Sequence, residues 1–351
     1  MSGSTIPYQL RVNKAVDRYV FLDLLNKINR FIPIEKASYV GFGSFSLEDF
    51  KYIHSQLGIS KMVSLEMDPL VYERQKFNIP LNCIESHNMS SSEYIEAFNS
   101  DTEETIITWL DYTAPDQLRE QIEEFQLLLL KSKKHDILKI TLNAHASSYY
   151  DQNSYYKDMI LYYSEVASFY GKEKKVPPAK ELQAKRQDKI QNMLGSLFPQ
   201  SEVNVEMMTG RKLPQAISQI VKFAVNISLE GDPDIHFQPL TIFSYADGQT
   251  MLTITGILLQ RDEIDAFFEA TDLKKWKIAN LDWNEPRLIN IPNLTLKEKM
   301  LVDSLLPHHD IDEIQKELNF KFAKKTSESR QMIQNYIDFY RYQPFFSRII
   351  F

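Results

Sequence analysis

Between residues 37 and 142 the chain repeats one short unit: a run of apolar residues, a stop at glycine or an acid, then a stretch whose apolar residues recur at helical spacing. Ala37 to Val40 stops at Gly41-Phe42-Gly43-Ser44 and gives way to LEDFKYIHSQLG, closed by Gly58. Met62 to Leu65 stops at Glu66-Met67-Asp68-Pro69, where proline near the first turn restarts a helix. Further runs lie near Leu81 to Glu85, with a helix over Ser91 to Asn99, at Thr105 to Leu110, with a helix from Asp116 to Lys131, and at Asp136 to Leu142. Five strands alternating with helices predict right-handed crossovers and an α/β fold with a doubly wound, mostly parallel sheet. TIITWL is apolar on both faces, as a strand covered from both sides requires.

Ahead of this unit, residues 14 to 32 carry Val16, Tyr19, Val20, Leu24, Ile28 and Phe31 at the spacing of a leading amphipathic helix, closed by Pro33. After Ala144 the texture changes to a tyrosine-rich helical stretch. A basic segment follows over 171 to 190, with seven lysines and arginines against three acids and a Pro177-Pro178 break. Residues 202 to 208, 220 to 229, 237 to 245 and 250 to 259 read as β-rich, and Tyr245-Ala246-Asp247-Gly248-Gln249 reads as the turn of an antiparallel hairpin that completes the sheet. From Asp262 the pattern is helical and ends in three helices after Thr295. A chain of 351 residues exceeds what one core usually serves, so two regions are expected. These are a sheet domain over 1–260 with an insertion at 146–215, and a smaller, mainly helical region over 261–351.

Several classes of protein are excluded at this point. The start of the chain lacks the basic and apolar segments of a signal peptide, and no apolar run approaches the ~20 residues of a membrane span. Cys83 stands alone and forms no internal disulfide, so a reducing, cytoplasmic location is expected. A net charge of −7 gives no field that attracts nucleic acid, which leaves only the local basic stretch 171–190 for such a partner. From Thr295 to the end nine basic residues face eight acidic ones, a balance that suits docking on the sheet domain or on a protein partner better than reading DNA. His54, His87 and His145 have no partners at metal-ligand spacing, and no metal is predicted.

Ligands of open α/β sheets settle beyond the carboxyl ends of the strands, where the strand order reverses. After the first strand come Gly41, Gly43 and Ser44, whose small side chains let backbone amides approach a ligand at a helix start. After the second comes Glu66, 23 residues beyond Gly43, whose carboxylate suits the two hydroxyls of a ribose. After the third come His87 and Asn88, placed to touch a base edge, and after the fourth Asp111 and Tyr112, placed near a reacting centre.

YVGFGS, VSLEMD and WLDYTAP, in that order, resemble the motifs of the class I S-adenosylmethionine-dependent methyltransferases over residues ~35 to 145. The resemblance implies a Rossmann-like fold and S-adenosylmethionine as cofactor. It implies a glycine loop at Gly41 and Gly43 beside the methionine part, a ribose anchor at Glu66, and acceptor-facing residues at Asp111 and Tyr112. Two positions depart from the family pattern: Tyr39 stands where an acid is usual and Phe45 where a further glycine is usual, with Asp49 the nearest acid that could replace the first. Three functions follow as alternatives: a methyltransferase of unknown acceptor, a binding or assembly subunit that keeps the fold without the chemistry, and a nicotinamide-dependent oxidoreductase. The last needs a small third residue in Gly-x-Gly-x-x-Gly, where this chain has Ser46.

Overall fold

The computed structural model describes residues 11–98, 104–165 and 178–343. Its first half runs α1 (Val12–Ile28), β1 (Ser38–Gly41), α2 (Glu48–Leu57), β2 (Lys61–Leu65), α3 (Pro69–Asn78), β3 (Ile84–His87), α4 (Ser91–Ala97), β4 (Ile106–Asp111), α5 (Leu118–Lys131) and β5 (Ile137–Asn143). Four helices follow, α6 (Ala146–Tyr149), α7 (Gln152–Glu165), α8 (Ala179–Leu194) and α9 (Leu213–Leu229), then β6 (Ile235–Ala246) and β7 (Thr250–Gln260). The remainder is α10 (Ile264–Thr271), β8 (Arg287–Ile289), α11 (Leu296–Leu305), α12 (Ile311–Leu318) and α13 (Thr326–Phe339).

One eight-stranded sheet has the order β3-β2-β1-β4-β5-β7-β6-β8. β1 to β5 are parallel, β7 enters antiparallel between β5 and β6, and β8 pairs parallel with the outer edge of β6. This is the doubly wound, Rossmann-like arrangement with its antiparallel hairpin. The chain leaves β1 toward β3, returns to lay β4 on the other side of β1, and so opens its crevice between β1 and β4.

Two layers cover the sheet. On one face Leu110, Leu138, Ile140 and Ile254 pack with α5, α8 and α9, and on the other Ile107, Trp109 and Ile137 pack with α1, α2 and α10. The last three helices close the far edge, where Ile333, Tyr336 and Phe339 meet Phe243, Tyr245 and the start of α1 at Val16 and Val20. α8 takes up the second half of the basic stretch and runs on to Leu194: Ile190 and Leu194 are buried, and Arg186 donates to the carbonyls of Tyr150 and Met208. Residues 171–177, with Lys172, Lys174 and Lys175, lie outside the described residues.

Two segments expected to be β-rich are not. Residues 220 to 229 belong to α9: the β-branched composition favours a strand, but Leu213, Ile217, Ile220, Val221 and Ala224 fall on one helical stripe and all are buried. Each such Leu or Ile contributes roughly 1.5–3 kcal/mol, more than the few tenths by which propensity opposes it. Residues 202 to 208 form a loop with a single turn at Val205–Met207, where the Asn204 side chain accepts from the Glu206 amide. β8 went unanticipated because three residues after Pro286 carry no periodicity. The third strand begins three residues later than the apolar run suggested, so Cys83 precedes it and is only half-buried.

Candidate functional site

A cleft of ≈ 490 Å³ opens at the carboxyl ends of β1, β2 and β4. Phe42, Leu65, Met67 and Met89 supply apolar walls, and Gln117 with Glu120, Gln121 and Glu124 of α5 closes the far side. Glu66 and Asp111 stand at the ends of β2 and β4, and Tyr112 and Thr113 follow. The lining holds four carboxylates and no lysine, arginine or histidine, so its potential favours a positive or hydrogen-bond-donating ligand.

Glu66 accepts at Oε1 from the Asp68 amide at 3.0 Å, while Asp68 caps α3 by accepting from the amides of Leu70 and Val71. Burial, more than the adjacent Asp68 charge, raises the Glu66 carboxyl above its ordinary range. Asp111 closes β4 with its side chain inside the protein: Oδ2 accepts from Lys14 Nζ, and Oδ1 is buried without a hydrogen-bond partner among the described residues. Burial opposes its charge, but Lys14, then Arg18 and Lys139, outweigh that and hold the carboxyl below its ordinary value. Gln121 donates to the Ala114 carbonyl at 2.8 Å and likewise leaves its buried Oε1 unpartnered. Tyr112 donates to Glu124 and Ser91 Oγ donates to the same carboxylate at 2.6 Å. Burial first, and then Glu124, pushes the Tyr112 phenol well above its ordinary value.

The glycine loop is arranged differently from its sequence reading. Phe42 is its one residue in the cleft wall; Gly41, Gly43 and Ser44 stand behind it. The Gly43 amide donates to Ser64 Oγ at 3.1 Å, and a Cβ on Gly43 would overlap Ser64 Oγ and Leu47. Gln75 donates to the Ser44 carbonyl at 2.6 Å and Asn78 to the Phe45 carbonyl at 2.9 Å, so α3 holds the loop from behind. The Tyr39 ring packs beneath Gly41 and edge-on against Phe50. Asp49 is paired with Arg18 of α1 rather than directed at the loop.

His87 ends β3, half-exposed and 3.7 Å from Glu85, outside the cleft. Asn88 donates to the Glu66 carbonyl at 2.8 Å, which ties the end of β3 to the end of β2. The next residues, Met89, Ser90 and Ser91, reach the cleft instead, with Ser90 capping α4 in a capping box with Glu93. Of the eight residues singled out from sequence, the cleft thus gathers Glu66, Asp111 and Tyr112. Gln121, Glu124 and Ser91 went unnoticed. The Ser90-x-x-Glu93 box was visible, but nothing in the sequence pairs Ser91 with a glutamate 33 residues on. Among the described residues no group of three or more His, Cys, Asp or Glu side chains is placed to hold a metal ion, and no helix is long and apolar enough to cross a membrane.

The sheet order and the cleft at its switch point are those of a doubly wound, Rossmann-like fold. The chain belongs to the family described as "Putative O-methyltransferase", whose model matches residues 6–351. No curated protein matches the chain. Among solved structures it is similar to a chain of the fibrillarin/Nop5p complex (12% identity over 36% of this chain and 59% of that one, TM-score 0.27). It is also similar to cofactor-bound Rv0187 from MTB (7% identity, 73% and 83%, TM-score 0.36). A third is an rRNA methylase from Streptococcus thermophilus (9% identity, 69% and 95%, TM-score 0.32). The chain spans under two thirds of the length of the first of these.

Proposed function

We propose that this chain transfers a methyl group from S-adenosylmethionine to an acceptor bearing a hydrogen-bond donor, with Asp111 as the residue that orients and deprotonates that donor. The observation that carries the reading is the acid-lined cleft at the switch point of the sheet, in whose wall Asp111 and Gln121 stand, each with one buried oxygen that has no hydrogen-bond partner among the described residues. A buried acceptor left unsatisfied costs about 1–3 kcal/mol, a cost that a donor reaching either oxygen would remove.

The residues present fit the cofactor. Glu66 suits the ribose hydroxyls, the apolar side chains of Phe42, Leu65 and Met89 suit the faces of a base, and the four carboxylates suit a cation. When bound, the cofactor supplies an electrophilic methyl group on positively charged sulfur. Asp111, kept ionised by Lys14, accepts the proton of the acceptor group as that group becomes a nucleophile. Gln121 and Tyr112 fix the acceptor's approach from α5 and from the end of β4.

A second reading, a binding subunit that keeps the fold without turnover, is favoured by the Gly43 amide, which Ser64 occupies, and by Tyr39 under the loop. One experiment separates them: calorimetry with S-adenosylhomocysteine, followed by transfer of labelled methyl to fractionated cell extract. The first reading expects binding, label transfer, loss of binding in Glu66→Ala, and a rate lower by ~10² to 10⁴ in Asp111→Asn with affinity kept within a few-fold. Binding without transfer favours the second, and no binding at all defeats the cofactor assignment.

A further inference from the structure

Asp111 is held by a helix that precedes the whole sheet. Lys14, Asp17 and Arg18 share one face of α1, and each meets an opposite charge on a different element: Asp111 of β4, Lys139 of β5 and Asp49 of α2. The Lys139–Asp17 contact is 2.8 Å with both side chains at most 2% exposed. Three such pairs at i, i+3 and i+4 fix both the rotation of α1 and its height on the sheet.

The start of α1 is fixed separately. Arg11, at its N-cap position, supplies no side-chain cap. Asp247, in the turn between β6 and β7, does so instead: its Oδ1 accepts from the Asn13 amide at 3.3 Å and its Oδ2 from the Lys14 amide at 2.8 Å. These are the second and third amides of the helix, the two that an N-cap residue ordinarily satisfies. Asn13 completes the joint by donating through Nδ2 to Asp247 and to the Ala246 carbonyl, and by accepting from the Ile291 amide at 2.9 Å.

We propose that Lys14 is a positioning residue for Asp111, set in place by Asp247, so that one carboxylate oxygen is held by the helix and the rotamer of the whole carboxylate is fixed at the end of β4. The inference rests on the reading of Asp111 as the acceptor-facing base. The groups that face Asp111 are Lys14, Asp17 and Arg18 of α1, Lys139 of β5, Tyr39 of β1 and Tyr245 of β6, with Asp49 of α2 and Asp247 of the hairpin turn beyond them. Lys14 is in direct contact with it. Without Lys14, burial and the neighbouring acids act against the carboxylate with only Arg18 and Lys139 to oppose them. Its protonation then moves to higher pH.

The test is made on the full chain with Lys14→Met, Lys14→Arg and Asp247→Asn. Carbon-13 NMR of the Asp111 carboxyl gives its titration midpoint, and the pH profile of methyl transfer gives the acid limb of the rate. In Lys14→Met both are expected to move up by one unit or more, while the S-adenosylhomocysteine dissociation constant stays within about three-fold. Lys14→Arg, which keeps a cation, should bring both back toward wild type, and Asp247→Asn should shift them in the same direction as Lys14→Met by less. An Asp111 midpoint unchanged in Lys14→Met overturns the proposal. Should that variant not fold, an unchanged midpoint in Asp247→Asn with helix content retained overturns it equally. If wild type binds the homocysteine analogue and transfers no methyl, the catalytic reading of Asp111 fails, while the carboxyl titration still decides the role of Lys14.

Discussion

Replacing Asp17 by leucine tests how firmly α1 is held. Asp17 and Lys139 are 2.8 Å apart and almost fully buried, and the Lys139 ammonium also lies 3.9 Å from the centre of the Trp109 ring and 4.5 Å from that of Phe21. The next carboxylates that Lys139 senses, Asp49 and Asp111, are already paired with Arg18 and Lys14. Asp17→Leu therefore leaves a buried ammonium with two rings and no carboxylate of its own. Removing one partner of a buried pair costs about 3–5 kcal/mol, a large share of the ~5–15 kcal/mol that holds a domain folded. The double variant Asp17→Leu with Lys139→Met removes both desolvation penalties and should return most of that loss. Burial lowers the Lys139 pKa even in the presence of Asp17. In the single variant the unfolded chain then binds the extra proton, so stability rises with pH between 7 and 9. Urea denaturation followed by circular dichroism at both pH values measures all three effects. A single variant within about 1 kcal/mol of wild type, or a double variant as unstable as the two singles added together, would refute the reasoning.

Gly43→Ala is expected to destabilise by about 1–3 kcal/mol, because the new Cβ overlaps Ser64 Oγ and Leu47; adding Ser64→Ala should recover part of this in the same denaturation assay. Asp111 has a folded-state pKa below its ordinary 3.8, so its contribution to stability is present above that value and is lost as pH falls through the folded pKa. Acid-unfolding curves of wild type and Asp111→Asn should accordingly differ near neutrality and converge below about pH 4; a constant gap across the range contradicts the Lys14 pairing.

The sheet was largely legible because buried parallel strands are short apolar runs, and the polar residues that follow them mark where each strand ends. That rule placed Glu66 and Asp111 in the cleft wall from spacing alone. It failed at the glycine loop, where backbone exposure depends on what lies behind. Ser64, Gln75 and Asn78 engage that backbone from 21 to 33 residues away, and no local pattern announces this. His87 was misplaced for a simpler reason: the strand continues past Glu85, and residues 89 to 91 carry the chain into the cleft. Lys14 had no visible role because its partner lies 97 residues on. α9 was misread because its composition and its spacing disagree, and the spacing buries more surface.

The Asp247 joint also bears on synthesis. α1 obtains the cap for its opening turn from a residue 233 positions later than Lys14, beyond five parallel strands and, among the described residues, eight further helices. A nascent chain still short of the β6–β7 hairpin therefore holds an α1 with uncapped amides, and Lys14 is not yet fixed over Asp111. Closing so long a loop is entropically slow and becomes favourable only once the strands between are in register. The base of the cleft is thus completed late, after most of the polypeptide has left the ribosome.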